Sequence, residues 1–497
     1  MSSVSERALT AVRWSYIGVV ARGVSQLVAN IVLARILGPE AFGIFAITLL
    51  MVAPAKLVAE MGMGSALIQK EVISRDDVHV VFTWLQGVGI LTAIAFYFSA
   101  NYAAGFFGSS AASESIRFAS IIFLFYPATV IAASQLQRNL NLKAIQIANV
   151  LSYLFGFLVV GLGCALMGMG SLSLVLAFVS QAVVECVLLV TQAKPHLRLR
   201  LQKIDEKLVH FGTRVVPANL TNWLLDSVDN ILIGKIFGTK SLGLYAVVFN
   251  FVRTPTGHLT TTLQNVLFST SSRFQHDNAR LGQTYIAVIS AIALIAFPLF
   301  AGVAAIAETC VIVVYGERWQ EATALLTPLA LAMPFHCLTA VTGPILWGTG
   351  RVGKELRVSF VMGLVMILVL LLLSNISLVA VVWGVFGVYL LRALWMIATL
   401  TNICSIPLRR ILDALVPGLI LGLIVGASLL MLNYQLVEFY FTPSIRLAFA
   451  IALAMLLSLI WLVLVGQRSL PAELNQMIKR LIANRPFLQK CWARCGA

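Results

Sequence analysis

Apolar residues run along this chain in long blocks separated by short polar, glycine or proline turns. The blocks fall at about 10–37, 41–61, 79–98, 116–135, 144–167, 171–192, 208–237, 243–268, 284–307, 325–348, 357–373, 378–401, 411–432 and 445–466. A helix needs about 20 apolar residues to cross a hydrocarbon core about 30 Å thick. The pattern therefore predicts an all-α polytopic membrane protein with about fourteen transmembrane helices. The first block begins right after a short polar stretch and has no small-residue cleavage site behind it. It reads as a retained helix, too long for a signal peptide.

Charge placement tests this count. Lys and Arg should collect in the loops of one side of the membrane. With loops assigned alternately to the two sides, the N-terminal side receives Arg7, Lys70, Arg75, Arg138, Lys143, the 194–207 run, Arg273, Arg280, Arg351, Lys354, Arg357, Arg409, Arg410 and the basic tail. The other side keeps Lys240 and Arg318. One miscounted helix would scramble that split, so both termini are expected in the cytoplasm. The same sorting explains the net charge of +15 as topogenic and gives no reason to invoke nucleic acid.

An internal repeat divides the chain. Ala29–Ile47 placed on Asp229–Val247 matches Asn30 with Asn230, Ile36 with Ile236, Gly38 with Gly238, Gly43 with Gly243 and Ala46 with Ala246. The basic loop at 193–207 divides the first twelve helices six and six, and the last two fall outside the repeat. Even-numbered halves enter the membrane in the same direction, so two lobes in a pseudo-twofold arrangement are expected. The expected organisation is an N-lobe at 1–205, a C-lobe at 206–405, an appended helix pair at 406–466 and a cytoplasmic tail at 467–497. In the tail, Ser469, Pro471 and the spacing of Leu470, Leu474, Met477, Ile478, Leu481 and Ile482 predict an amphipathic helix on the anionic leaflet.

With 60% of residues hydrophobic and 11% charged, each charge inside a span is costly and informative. Arg22 and Arg253 fall near mid-membrane, where an arginine costs at least about 2.5 kcal/mol unless it meets water or a partner. Polar residues share their helix faces: Ser15, Gly18, Arg22, Gln26 and Asn30 on the first helix, Lys56 and Glu60 on the second, and Asn219, Asn222, Asp226 and Asp229 on the seventh. The eighth carries Asn250, Arg253, Gly257, Thr260 and Gln264. The plainer reading is a seam of interhelical hydrogen bonds. Midplane arginines in both halves favour a cavity that binds an anion. Arg22, Lys56, Arg253 and Arg214 suit a phosphate or diphosphate, with Gln26, Asn30, Asn222, Asn250 and Gln264 as polar lining.

Glu185, Asp226 and Asp229 are acids available for cation or proton coupling, or for salt bridges to Arg214 or Lys235. His258 and His336 are either core histidines or proton carriers. The seven cysteines, Cys164, Cys186, Cys310, Cys337, Cys404, Cys491 and Cys495, have no zinc-type spacing and read as structural filler. Neither a metal nor a cofactor is expected.

The segment ARILGPEAFGIFA at 34–46, the repeat offset of 200 residues and the turn GTGRVGKELR at 348–357 resemble the polysaccharide exporter and oligosaccharide flippase family. That family belongs to the multidrug/oligosaccharidyl-lipid/polysaccharide superfamily. The resemblance spans nearly the whole chain. It implies a bacterial inner-membrane flippase that moves a polyprenyl-diphosphate-linked glycan by alternating access, in contact with membrane lipid and alongside polymerase and export machinery. It also implies that cations on the first, second and eighth helices, here Arg22, Lys56 and Arg253, handle the lipid diphosphate. A multidrug antiporter of the same superfamily is the nearest alternative. A membrane-embedded polymerase or ligase would need a large outer loop, and the longest outer connections here are near 99–115 and 308–324.

Overall fold

The computed structural model describes residues 2–70, 74–200, 206–275, 277–464 and 473–475. Among them there is no strand; every regular element is a helix. Inside hydrocarbon no water is available to satisfy backbone groups, so a single segment must close its own hydrogen bonds, and the helix does this. Eleven helices are long and apolar enough to span a bilayer, or twelve if the bent pair Ser110–Ala119 and Ile122–Arg138 forms one span. Two of the longest are each a pair of helices joined at a corner, which is consistent with the expected fourteen.

The first of these is α1 (Ser2–Glu60). Its backbone leaves helical geometry at Gly38, with φ 77° and ψ 178°. It is followed by α2 (Met63–Gln69), α3 (Arg75–Phe107), α4 (Ser110–Ala119), α5 (Ile122–Arg138), α6 (Leu142–Leu166) and α7 (Leu172–Ala193). The second cornered helix, α8 (Glu206–Arg273), breaks at Gly238 with φ 80° and ψ −177°. Only glycine occupies that region of backbone space at low cost. The sequence repeat is thus reproduced as a repeat in backbone angles, 200 residues apart.

The remaining helices are α9 (Asn278–Ala305), α10 (Ala307–Tyr315), α11 (Thr323–Gly348), α12 (Val352–Leu373), α13 (Leu378–Cys404), α14 (Leu408–Glu438) and α15 (Pro443–Leu464). Large apolar side chains such as Leu91, Phe98, Leu423 and Met431 stand exposed on these helices, as a lipid-facing surface requires. The connections near 99–115 and 308–324 are mostly helical. α3 runs on to Phe107, and a 3₁₀ turn at Glu317–Ala322 buries Trp319 completely between α10 and α11.

The chain divides into two compact units, 1–246 and 247–497. In the first, the two glycine corners pack on each other. A Cβ added to Gly43 would strike the Thr239 carbonyl, and one added to Gly243 would strike the Pro39 carbonyl. The contact is reciprocal, because 39 and 43 relate to 239 and 243 by the repeat offset. On the 194–207 run, Arg200 pairs with Asp76 and its backbone N–H donates to Thr83, which ties this stretch to the start of α3. A capping box of Ser74 and Asp77 fixes that helix start.

In the second unit, α14 packs on α9 through a row of small residues. Gly418 lies on the Ala293 backbone, Gly422 on Phe297 and Gly426 on Ala301. Lipid tails are as apolar as leucine, so close backbone approach is what drives such helices together. The expected tail helix lies outside the described residues except for Glu473, Leu474 and Asn475. There, Leu474 is buried against Ala287, and Glu473 lies 3.6 Å from Arg410. Cys491 and Cys495 lie outside the described residues as well.

Two substitutions test these contacts. Gly38→Ala forces an L-residue into the glycine-only region and is expected to cost about 1–3 kcal/mol. Gly422→Leu should separate α9 from α14 and lower the melting temperature of the detergent-solubilised protein. Unchanged thermal unfolding in both would refute the packing described.

Candidate functional site

Within the first unit the charged residues of α1 converge on α5 and α7. Arg22 stands half-buried on the stripe that sequence spacing defines, with Gln26 and Asn30 one and two turns further on. One turn earlier, Gly18 is buried so close to Gln146 of α6 that no side chain would fit there. Arg22 Nε is buried and has no hydrogen-bond acceptor. Lys56, beyond the corner on the same long helix, has its Nζ 5.0 Å from the ring centre of Phe178 and 5.4 Å from that of Tyr126. Ring faces carry partial negative charge and hold a cation without closing its hydrogen-bonding shell.

Glu185 on α7 is half-buried and within electrostatic reach of both Lys56 and Arg22. Glu60, one turn after Lys56, belongs to the same cluster: its Oε2 accepts at 3.1 Å from the hydroxyl of the Tyr126 that Lys56 stands over. The result is two cations, Arg22 and Lys56, in a largely apolar setting, with Glu60 beside Lys56 on Tyr126 and Arg22 Nε left without a partner. Tyr126 and Phe178 were not legible as site residues, because they arrive from other helices and read as ordinary apolar positions.

Other expected residues of this unit are placed differently. Asp229 is buried, accepting from the Tyr245 hydroxyl at 2.6 Å and from the Asn230 backbone and side-chain nitrogens at 2.7 and 3.0 Å. Its carboxylate ties the two arms of the Gly238 corner together. Lys235 has its Nζ 4.8 Å from the Phe106 ring centre. Asn222 and Asp226 are exposed on the same arm. The backbone of Arg214 is helical, and its side chain lies outside the described residues. An open hollow of about 760 Å³ at the far end of α3, lined by Asn101, Ser113 and Arg117 among others, holds none of the expected residues.

The second unit carries its own basic cluster. Arg253 is exposed, with its guanidinium 5.6 Å from the Phe249 ring centre, and Asn250 is exposed one turn before it. His336 of α11 is within electrostatic reach of Arg253 and of Arg392 on α13. Its ring meets Tyr389 edge-on at 5.3 Å, and its Nδ1 is buried without a partner. Arg392 donates to Ser359 at 3.0 Å, and Ser359 donates to Glu355 at 2.8 Å. Sequence spacing had given Arg392 no role, since its anchor comes from α12. The side chain of His258 lies outside the described residues.

Gln264 is placed by backbone chemistry. Pro344 has no N–H, so the carbonyl of Ala340 lacks its usual helical donor, and Gln264 Nε2 supplies one at 3.0 Å. Its amide nitrogen is therefore engaged with the helix. Among the described residues no cluster of His, Cys, Asp or Glu could hold a metal ion.

Many apolar spans, two compact helical units and basic groups held inside them define a multi-pass membrane transporter fold. The chain belongs to the polysaccharide biosynthesis protein family, whose sequence profile matches residues 32–324. It is 24% identical over 356 residues to the teichuronic acid biosynthesis protein TuaB of Bacillus subtilis (strain 168), covering 71% of this chain and 73% of that protein. It is 22% identical over 355 residues to the lipopolysaccharide biosynthesis protein WzxC of Escherichia coli (strain K12), covering 70% and 72%. In fold it is similar to the lipid II flippase MurJ in an inward closed conformation, with TM-score 0.70, 12% identity and 91% and 99% of the two chains covered. It also resembles an inward-facing MATE multidrug resistance transporter of the MOP superfamily, with TM-score 0.63, 13% identity and 78% and 96% covered.

The Gln264 contact is directly testable. Gln264→Leu leaves the Ala340 carbonyl unpaired in an apolar setting and should cost about 1–3 kcal/mol. Gln264→Glu, which accepts but does not donate when ionised, should fail to rescue it in thermal unfolding.

Proposed function

We propose that this protein is a flippase that carries a polyprenyl-diphosphate-linked oligosaccharide across a bacterial inner membrane by alternating access, for assembly of a surface or secreted polysaccharide. The observation that carries this reading is the pair Arg22, whose buried Nε has no hydrogen-bond partner, and Lys56, held over the Tyr126 and Phe178 rings. A buried charge is retained only where something compensates it, and a diphosphate would do so through charge-assisted hydrogen bonds. Arg253 provides a cation of the same kind on α8, beside His336 and Arg392, and Arg214 on the same long helix is proposed to join it. Gln26, Asn30, Asn222 and Asn250 are proposed to meet the polar glycan.

Family membership and the names of the relatives support a glycan cargo. The MATE-like fold alone would also suit a drug antiporter, but an anionic cargo accounts better for arginine and lysine at these positions. The repeat supports functional lobes at 1–205 and 206–405 with helices 406–466 appended. The charge asymmetry supports cytoplasmic termini. Polymerase and export machinery are the partners such a flippase would hand its product to. The chain acts as a carrier, with no chemical step of its own.

Reconstitution in liposomes with a fluorescent polyprenyl-diphosphate oligosaccharide tests this. Arg22→Ala and Lys56→Ala should each lower translocation about 10- to 100-fold, the loss of one charge-assisted contact of about 1.5–3 kcal/mol. Insertion and thermal stability should persist. Wild-type translocation by both variants would refute the assignment.

A further inference from the structure

The hollow of about 760 Å³ at the far end of α3 lies apart from the cationic positions and has a chemistry of its own. Its size is in the range of small-molecule sites. α3 ends at Gly108, left-handed at φ 66°, and α4 begins at Ser110, so the hollow sits at a turn between two helices. Asn101, Gly105 and Gly108 follow at four- and three-residue steps on α3, as Ser110, Ser113, Glu114 and Arg117 do on α4, and each helix gives the hollow one face. A Cβ on Gly105 or Gly108 would meet nothing within 4 Å, so the space above both glycines is open.

The polar groups are held in place before anything binds. Asn101 Oδ1 accepts from the Ser113 hydroxyl at 2.7 Å and from Arg117 Nη2 at 3.0 Å. Two donors on one oxygen fix the amide's orientation and turn its NH2 to donate elsewhere. The Arg117 guanidinium also rests 5.3 Å from the ring centre of Tyr97, one turn before Asn101 on α3. Glu114, exposed one turn before Arg117, forms no ion pair among the described residues and supplies an acceptor.

The charges decide between ligands. Arg117 and Glu114 are the only ionised groups lining the hollow, and they cancel. A phosphate would gain one cation and meet one carboxylate, and a metal ion would meet the reverse. A neutral sugar uses both, because each hydroxyl donates one hydrogen bond and accepts others. Position points the same way. The start of α3 is tied to the basic 194–207 run through Arg200 and Asp76. Asn101 lies 25 residues beyond Asp76, about 38 Å along a helix, which exceeds a hydrocarbon core of about 30 Å. With the basic run in the cytoplasm, as the charge asymmetry supports, the hollow opens on the outer face.

We propose that this hollow is a carbohydrate site on the outer face, where Arg117 and Asn101 donate to the hydroxyls of a glycan and Glu114 accepts from them. It rests on the glycan reading above and goes beyond it, since it assigns the sugar a site separate from Arg22 and Lys56. The glycan of the lipid-linked cargo and a free glycan share this chemistry.

The test uses the full-length protein in lipid nanodiscs, because glycoside detergents would compete. The probe is the free oligosaccharide released by mild acid from the lipid-linked substrate of the translocation assay, and saturation-transfer NMR on its ring protons reads binding. Arg117→Ala and Glu114→Ala should each weaken binding about 10- to 100-fold, the loss of a hydrogen bond to a charged group. Gly105→Leu, whose Cβ strikes nothing, should fill the hollow and abolish binding with no loss of thermal stability. Arg22→Ala should bind the free glycan as wild type does, and the intact lipid-linked form should compete for the site. Absence of glycan binding by wild type, binding that survives Gly105→Leu, or displacement of the glycan by inorganic phosphate overturns the proposal. Translocation is scored separately: wild type that translocates without binding the free glycan removes this site and leaves the flippase reading, and binding without translocation does the reverse.

Discussion

Every feature of this molecule answers to one constraint: inside hydrocarbon, no water is available to complete a hydrogen bond or solvate a charge. The constraint forces the chain into helices and then makes each irregularity costly unless a neighbour repairs it. Pro344 removes a donor and Gln264 returns one. The Gly238 corner interrupts a helix, and the Tyr245 hydroxyl donating to Asp229 draws its arms together. Repair is missing at several buried polar atoms, among them Arg22 Nε, His336 Nδ1 and Arg392 Nε.

The same constraint decides how the basic residues should be understood. Many lie at helix ends or between helices, where water and headgroups make them inexpensive. The few inside the units are managed by different means: aromatic faces for Lys56 and Arg253, a serine leading to a glutamate for Arg392, and a carboxylate at longer range for Arg22. Of these, only Arg392 has a direct hydrogen-bonded anchor that runs to an acid. A cation fixed that way serves structure. Cations balanced loosely by rings and a distant carboxylate remain able to exchange partners, which a carrier needs and a scaffold does not.

Much of this was legible in the sequence. Apolar block length gives the helices, and the match of Gly38 with Gly238 gives the corners, because both signals are local and periodic. Arg22, Lys56 and Glu185 stood out because charge inside an apolar block is conspicuous. What could not be read was which side chains meet across helices. Tyr126 and Phe178 as a cradle for Lys56, Asp229 as a buried clasp and Gln264 as a surrogate donor all depend on interhelical register, which composition and periodicity do not encode. Nor did the apolar pattern show that the stretches near 99–115 and 308–324 would be largely helical, since α3 runs on through Phe107 beyond its apolar block and the rest is short helix and a 3₁₀ turn.

The reciprocal packing of the two corners makes the two repeats answer to each other. Residue 43 touches 239 and residue 243 touches 39, which is the self-complementary form of an interface between two identical subunits. A side chain at Gly43 or Gly243 would strike the backbone of the other repeat's corner, so the cost of enlarging either glycine falls on the other half.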